Sequence, residues 1–323
     1  MPLVDMPLEK LQEYQGRNPK PADFDAYWEK ALAEMRGIDA RVELIPHALE
    51  ASFAECFHLY FTGAHGARVH AKLLRPKEIK NPAPAVVMFH GYSGHSGEWS
   101  DKLNYVAQGY VVASLDCRGQ GGLSEDVGGV TGNTLRGHII RGLDNAMRGE
   151  PEKLYYRQVF LDCAQLAGIV MDMPEVDATR VGATGASQGG GLTLACAALE
   201  PRIKLAAPVY PFLCDYQRVW EMDLSVAAYE ELRTYFRAFD PRHDRKAEVW
   251  NALGYIDNQH LASRIKAEVL MPVGLMDTVC PPSTQFAAFN KIQSTKKTII
   301  YPDFGHEGLP GVTDEIFNFM ARL

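Results

Sequence analysis

An α/β fold with a mainly parallel sheet is the architecture this sequence predicts. Two near-continuous apolar runs, Ala85–Phe89 and Tyr110–Leu115, have the character of strands buried on both faces. Helical stretches alternate with such runs along most of the chain, which places helices on both faces of one sheet. A third observation is Val181-Gly182-Ala183-Thr184-Gly185-Ala186-Ser187-Gln188-Gly189, in which a short buried strand meets an Ala-rich helix through Gly-x-Ser-x-Gly.

In chain order, residues 6–38 read as helical, with Phe24, Tyr27, Trp28, Ala31 and Met35 at helical spacing and Asp23 as N-cap. Residues 42–45, 54–61 and 69–74 read as strands, the last two joined as a hairpin by Thr62-Gly63-Ala64-His65-Gly66. A helix over 99–108 separates the two buried runs. From 118 to about 153 the chain is glycine-rich with little periodicity, the mark of a functional or contact-making loop. An amphipathic helix is expected over 154–171. Asp177-Ala178-Thr179-Arg180 reads as a turn, 181–184 as a strand and 192–199 as a helix. A strand at 203–210 precedes a mostly helical insertion over 214–264. Strands at 269–276 and 297–301 and a helix at 316–323 complete the chain. No repeat or linker divides it, so one domain over 1–323 with insertions near 118–153 and 214–264 is expected.

Composition narrows the function. Apolar residues make up 46% and charged residues 23% of 323, ordinary for a globular protein, and the net charge of −7 argues against a nucleic-acid surface. No apolar run approaches the length of a membrane span, and the first residues lack the pattern of a signal peptide. Six cysteines without a C-x-x-C pair read as reduced, buried thiols of a cytoplasmic protein.

The chemistry centres on Ser187. A serine hydroxyl is a weak nucleophile and needs a base within reach. In an α/β-hydrolase fold the partners follow in the order Ser, Asp or Glu, His, and Gly185 and Gly189 make room for the elbow's tight backbone. Of the histidines after Ser187, His243 lies in a charged run and His260 in the insertion. His306 follows the last strand and is the expected base. Asp277, at the end of the preceding strand, is the expected acid that fixes the imidazole; Asp303, nearer in sequence, is the rival. The oxyanion donors expected are the N–H of Gln188, which follows the nucleophile, and the N–H of Tyr92 in the loop His90-Gly91-Tyr92-Ser93-Gly94. Phe212 and Tyr92 are candidates to close an acyl pocket. His90 and His95 lack further ligands at metal-binding spacing, so no metal is expected.

Two other classes fit poorly. Thr184-Gly185-x-x-x-Gly189-x-Gly191 matches a short-chain dehydrogenase pattern, yet it lies past mid-chain and no tyrosine has a lysine four residues on. A non-catalytic binder on a hydrolase scaffold conflicts with a full set of triad candidates.

With these residues in hand, the chain resembles carbohydrate esterase family 7, the acetyl xylan esterases and cephalosporin C deacetylases. The resemblance rests on Arg118-Gly119-Gln120, Gly185-Ala186-Ser187-Gln188-Gly189 and His306-Glu307, in that order. It extends to the N-terminal helical region, the His90-Gly91-Tyr92 loop and Asp277-Thr278-Val279-Cys280-Pro281-Pro282. It implies deacetylation of short acetylated xylo-oligosaccharides and of cephalosporins, with no cofactor. It also implies an intracellular, ring-like homo-hexamer whose glycine-rich loop serves as an interface, and a supporting role near the site for Arg118 and Gln120. A broader carboxylesterase or a peptidase on the same fold is the alternative.

Overall fold

The computed structural model describes residues 4–127, 137–224 and 226–323. Part of the expected loop insertion, 128–136, lies outside the described residues.

Among the described residues, nine strands form one sheet: β1 (Glu43–Pro46), β2 (Ala54–Thr62), β3 (Arg68–Pro76), β4 (Ala83–Phe89), β5 (Val111–Leu115), β6 (Val176–Ala186), β7 (Leu205–Val209), β8 (Glu268–Gly274) and β9 (Lys296–Tyr301). Their order is β1-β2-β3-β5-β4-β6-β7-β8-β9. The pairings from β1 to β5 by way of β3 are antiparallel, and those from β5 through β9 are parallel. This is the α/β-hydrolase arrangement expected. The chain leaves β4 toward β5 on one side and returns as β6 on the other. That reversal opens a crevice beyond the carboxyl ends of β4 and β6, where such sheets bind ligands.

The helices are α1 (Leu8–Leu11), α2 (Phe24–Arg36), α3 (Leu103–Ala107), α4 (Leu143–Met147), α5 (Tyr155–Met171), α6 (Gln188–Leu199), α7 (Tyr216–Glu221), α8 (Glu230–Phe239), α9 (Lys246–Gly254), α10 (Asn258–Leu261), α11 (Pro282–Phe289) and α12 (Val312–Met320). Strand residues alternate between two cores. Ala85, Val87, Val111 and Ala113 face α5 and α6 in a core that also holds Trp28 and Phe160, whereas Val86 and Val112 share a core with Tyr105, Tyr110 and Phe319. The period of two is the pleat of the sheet.

Several boundaries differ from the sequence reading. The helix expected over 6–38 is two helices, because Gly16 takes φ 81° and prolines 19 and 21 interrupt the backbone pattern between them. Asp23 holds the N-cap position of α2, but its carboxylate accepts from the Tyr255 hydroxyl at 2.5 Å instead of capping. Asp177–Arg180 belongs to β6, yet it bulges from the ladder: Ala83 pairs with Val176 and Ala85 already with Val181. Asp177 accepts from the Thr179 N–H, so a local turn sits inside the strand. Helix α5 is buried almost all round rather than amphipathic.

That burial encloses a charge. Arg118, just past β5, donates through Nε and Nη2 to Asp162 of α5 at 2.7 and 2.5 Å, and through Nη1 to the Ala64 carbonyl at 3.0 Å. Both side chains are about 1% exposed. Removing one member strands the other charge away from water, which costs about 3–5 kcal/mol. Asp162→Ala is therefore expected to lower the unfolding free energy by about that amount in urea titration; an unchanged midpoint would contradict the pairing's structural role.

Candidate active site

The elbow begins where β6 runs into α6. Ser187 takes φ 60° and ψ −119°, a conformation that strains any residue with a Cβ. Three backbone bonds hold it there. The Ser187 N–H donates to the Val209 carbonyl at 3.0 Å, and its carbonyl accepts from Gly191 at 3.0 Å and Phe212 at 2.9 Å. The flanking glycines are required sterically. A Cβ on Gly185 would lie 2.5 Å from the Phe89 carbonyl oxygen, and one on Gly189 would lie 2.1 Å from the same atom.

His306 and Asp277 meet Ser187 from the ends of β9 and β8. The His306 Nε2 lies 2.9 Å from Ser187 Oγ, and its Nδ1 lies 2.8 Å from Asp277 Oδ2. A carboxylate only accepts, so Nδ1 carries the proton and Nε2 is free to accept from the serine hydroxyl. Asp277 is fully buried, and its Oδ1 accepts from the Val279 and Cys280 N–H groups at 2.8 and 2.7 Å. The Tyr210 ring lies 4.8 Å from the imidazole. Asp303 is exposed in the turn after β9, and Glu307 accepts from the Gly305 N–H at 3.0 Å. His243 is exposed against Trp220 and Phe236, and His260 is buried against Phe24.

Gln188 opens α6, so its N–H belongs to the first turn, which has no carbonyl within the helix to bond. Its buried amide pairs reciprocally with the Gln120 amide at 2.9 and 3.0 Å and accepts from the Tyr156 hydroxyl at 2.8 Å. Gln120 also donates to the Tyr155 hydroxyl at 2.9 Å, and that hydroxyl donates to the Arg118 carbonyl at 2.6 Å. Arg118-Gly119-Gln120 is thus bolted to the elbow on one side and to α5 on the other. Phe212 lies fully buried behind the elbow, its ring 5.8 Å from Tyr92 and 4.3 Å from Tyr229.

The sequence reading missed Asp162, Tyr155, Tyr156 and Asp116. Asp116, at the end of β5, accepts from the Ser96 and Leu123 N–H groups at 2.6 and 2.9 Å and bonds His70 Nδ1 at 2.6 Å. Burial opposes its charge, yet the bonds from His70, Leu123 and Ser96 hold its pKa below the usual carboxylate range. It ties the loop after β4 to the loop after β5. The signal for Asp162 was present: a lone acid in the middle of an apolar helical run needs a buried cation.

Among the described residues, Asp277, Cys280 and His306 offer possible metal-ligating atoms within 4.8 Å of one another. Here both His306 nitrogens are already engaged, by Asp277 and Ser187. His90 is similarly occupied: Nε2 accepts from the Cys117 N–H at 3.0 Å and Nδ1 donates to the Gly91 carbonyl at 2.7 Å. A cavity of about 820 Å³ adjoins the site, bordered by Tyr92, Gln120, His138 and Glu231; Ser187 and His306 are not part of its wall.

The profile of the acetyl xylan esterase family (AXE1) matches residues 1–323. The chain belongs to the acetyl xylan esterase family. Membership places it among carboxylic ester hydrolases. It is similar to acetyl xylan esterase 1 from Thermoanaerobacterium sp. JW/SL YS485, with 60% identity, 98% of this chain and 99% of that chain covered, and a TM-score of 0.96. The acetyl xylan esterase from Paenibacillus sp. R4 is 36% identical over the same shares, with a TM-score of 0.93. A curated relative, the acetyl esterase Axe7A of Xylanibacter ruminicola, is 26% identical over 290 residues, or 87% of this chain. The chain spans 62% of that relative's length. No helix among the described residues is long and apolar enough to cross a membrane.

The elbow geometry gives a direct test. Gly189→Ala would force backbone apart at the junction of β4 and α6, and overpacking of this kind costs about 1–3 kcal/mol. The expected outcome is a lower melting temperature together with loss of ester hydrolysis; an active, equally stable variant would show that the elbow tolerates the displacement.

Proposed function

We propose that this esterase removes acetyl groups from small acetylated carbohydrates, acetylated xylo-oligosaccharides foremost, and from cephalosporin-type acetyl esters. One observation carries the reading. A serine on a strained elbow lies 2.9 Å from an imidazole whose other nitrogen is held 2.8 Å from a buried carboxylate. Family membership supplies the acyl group.

In this mechanism His306 takes the Ser187 proton as Oγ attacks the acetyl carbonyl. The N–H groups of Gln188 and Tyr92 receive the developing oxyanion, each donor being worth about 10²–10³ in kcat. Asp277 keeps the proton on Nδ1 and stabilises the imidazolium. His306 then protonates the departing sugar alkoxide, leaving an acetyl-enzyme. Water, deprotonated by the same imidazole, attacks that ester and releases acetate. Phe212 is a core aromatic and not a wall of the acyl side: fully buried between Tyr92 and Tyr229, it backs the Tyr92 ring from behind the elbow. The reaction needs no cofactor.

The wider reading is of one domain over 1–323 that works in the cytoplasm as a homo-oligomer, a hexamer. One sheet spanning β1 to β9 supports the single domain. Six free, buried cysteines support a reducing compartment. Exposed Val42, Leu44 and Ile45 at the sheet edge, and Leu123 and Val127 in the loop after β5, support association between copies.

Initial rates on nitrophenyl esters from acetyl to octanoyl test the proposal. They are expected to fall steeply beyond propionyl and to vanish in Ser187→Ala. A flat or rising profile would indicate a broader carboxylesterase, and no ester hydrolysis would favour a peptidase. Asp277→Asn is expected to lower kcat by roughly four orders of magnitude with the fold intact; a loss below tenfold would remove Asp277 from the mechanism.

A further inference from the structure

Tyr92 sits in the loop after β4. Gly91 and Gly94 flank it, and Ser93 takes φ 57°. Backbone bonds close its turn, the Gly94 N–H donating to the Gly91 carbonyl at 3.0 Å and the Gly121 N–H to the Gly94 carbonyl at 2.8 Å, and side-chain anchors complete its placement. Gln188 contributes one weak anchor, Nε2 to the Gly91 carbonyl at 3.4 Å. The Tyr92 phenol supplies another. Its hydroxyl donates to Glu231 Oε1 at 2.7 Å, while its ring packs 5.8 Å from Phe212 and 4.8 Å from His138.

Glu231 is an unusual partner. It stands in the first turn of α8 with 6% of its surface exposed, and no cation pairs with it among the described residues' ion pairs. Donors surround it instead. Oε1 also accepts from the His138 N–H at 3.1 Å, and Oε2 accepts from the Ile140 N–H at 2.9 Å. Gly137 packs so closely that a Cβ there would lie 2.3 Å from Oε2. Burial pushes the carboxyl up to about 7, against the pull of those donors. A buried carboxylate that joins three separate segments is expensive to maintain, and packing alone gives no reason for it.

We infer that Glu231 is a positioning residue for ester hydrolysis: by holding the Tyr92 phenol it sets the loop that carries the Tyr92 N–H toward the oxyanion. The inference rests on the assignment of that N–H as an oxyanion donor under the proposed function. The helical insertion thereby reaches the reaction through one hydrogen bond, without touching substrate. An oxyanion donor acts on the transition state more than on the bound ester, so its displacement lowers kcat and leaves KM nearly unchanged.

The test compares Glu231→Gln, Tyr92→Phe and the double variant on nitrophenyl acetate at pH 8.5, where the wild-type carboxylate is ionised. Rates are taken per serine titrated with a fluorophosphonate, so that misfolded protein does not count. Each single variant is expected to lose roughly ten- to hundredfold in kcat with KM within about twofold, because small misplacements of a positioned group cost this much. The double variant is expected to lose no more than either single one. Unchanged kcat in Tyr92→Phe, losses that multiply in the double variant, or an effect confined to KM would overturn the inference. Should Glu231→Gln fail to fold, Tyr92→Phe decides by itself. Ser187→Ala, assayed alongside per mole of folded protein, separates the two levels: if it stays active the esterase mechanism fails, whereas an inactive Ser187→Ala beside unaffected Glu231→Gln and Tyr92→Phe removes only the tether.

Discussion

The site depends on one strained residue held in place by the sheet around it. Ser187 keeps a backbone conformation that costs of order 1–3 kcal/mol. Its N–H is fixed by β7 and its carbonyl by Gly191 and Phe212. Glycines 185 and 189 let β6 and α6 close on the Phe89 carbonyl without a side chain between them. Because β4 and β6 are neighbours at the sheet's reversal point, the loop after β4 and the serine after β6 arrive at the same crevice. His306 and Asp277 then need only follow β9 and β8.

Buried polar groups around the elbow lock that crevice. The Gln120–Gln188 amide pair joins the loop after β5 to the elbow, Tyr155 and Tyr156 join both to α5, and Arg118–Asp162 anchors the same loop below. Asp116 fastens the loops on its other side. Such groups contribute little net stability when fully bonded, but they are costly when broken, so they fix one arrangement of the loops. A glutamine after the nucleophile is thereby explained: only a side chain that both donates and accepts can close the reciprocal pair with Gln120.

Much of this was legible in the chain. The buried strands read as apolar runs because parallel strands shed no polar face, and the elbow read as a motif because its glycines are sterically forced. His306 and Asp277 followed from strand ends and chain order. What the sequence did not reveal depends on contacts far apart in the chain. Asp162 lies 44 residues from Arg118, and Gln188 lies 68 from Gln120. The break between α1 and α2 was visible in Gly16, Pro19 and Pro21 but was outweighed by the apolar spacing of α2. The bulge at 177–180 shows the limit of period counting, since a turn and a strand coexist there through the Asp177 side chain. Glu231 gave no local sign at all, because its meaning comes from Tyr92 and from the segment 137–140.

The central claim is that Ser187 is the nucleophile of this esterase. Its most direct test is stoichiometric labelling with a fluorophosphonate, followed by peptide mapping and residual activity on an acetyl ester. The account predicts one label per chain, on Ser187, with activity lost in proportion to labelling. Activity that survives complete labelling of Ser187, or inactivation through a label on another residue, would contradict it.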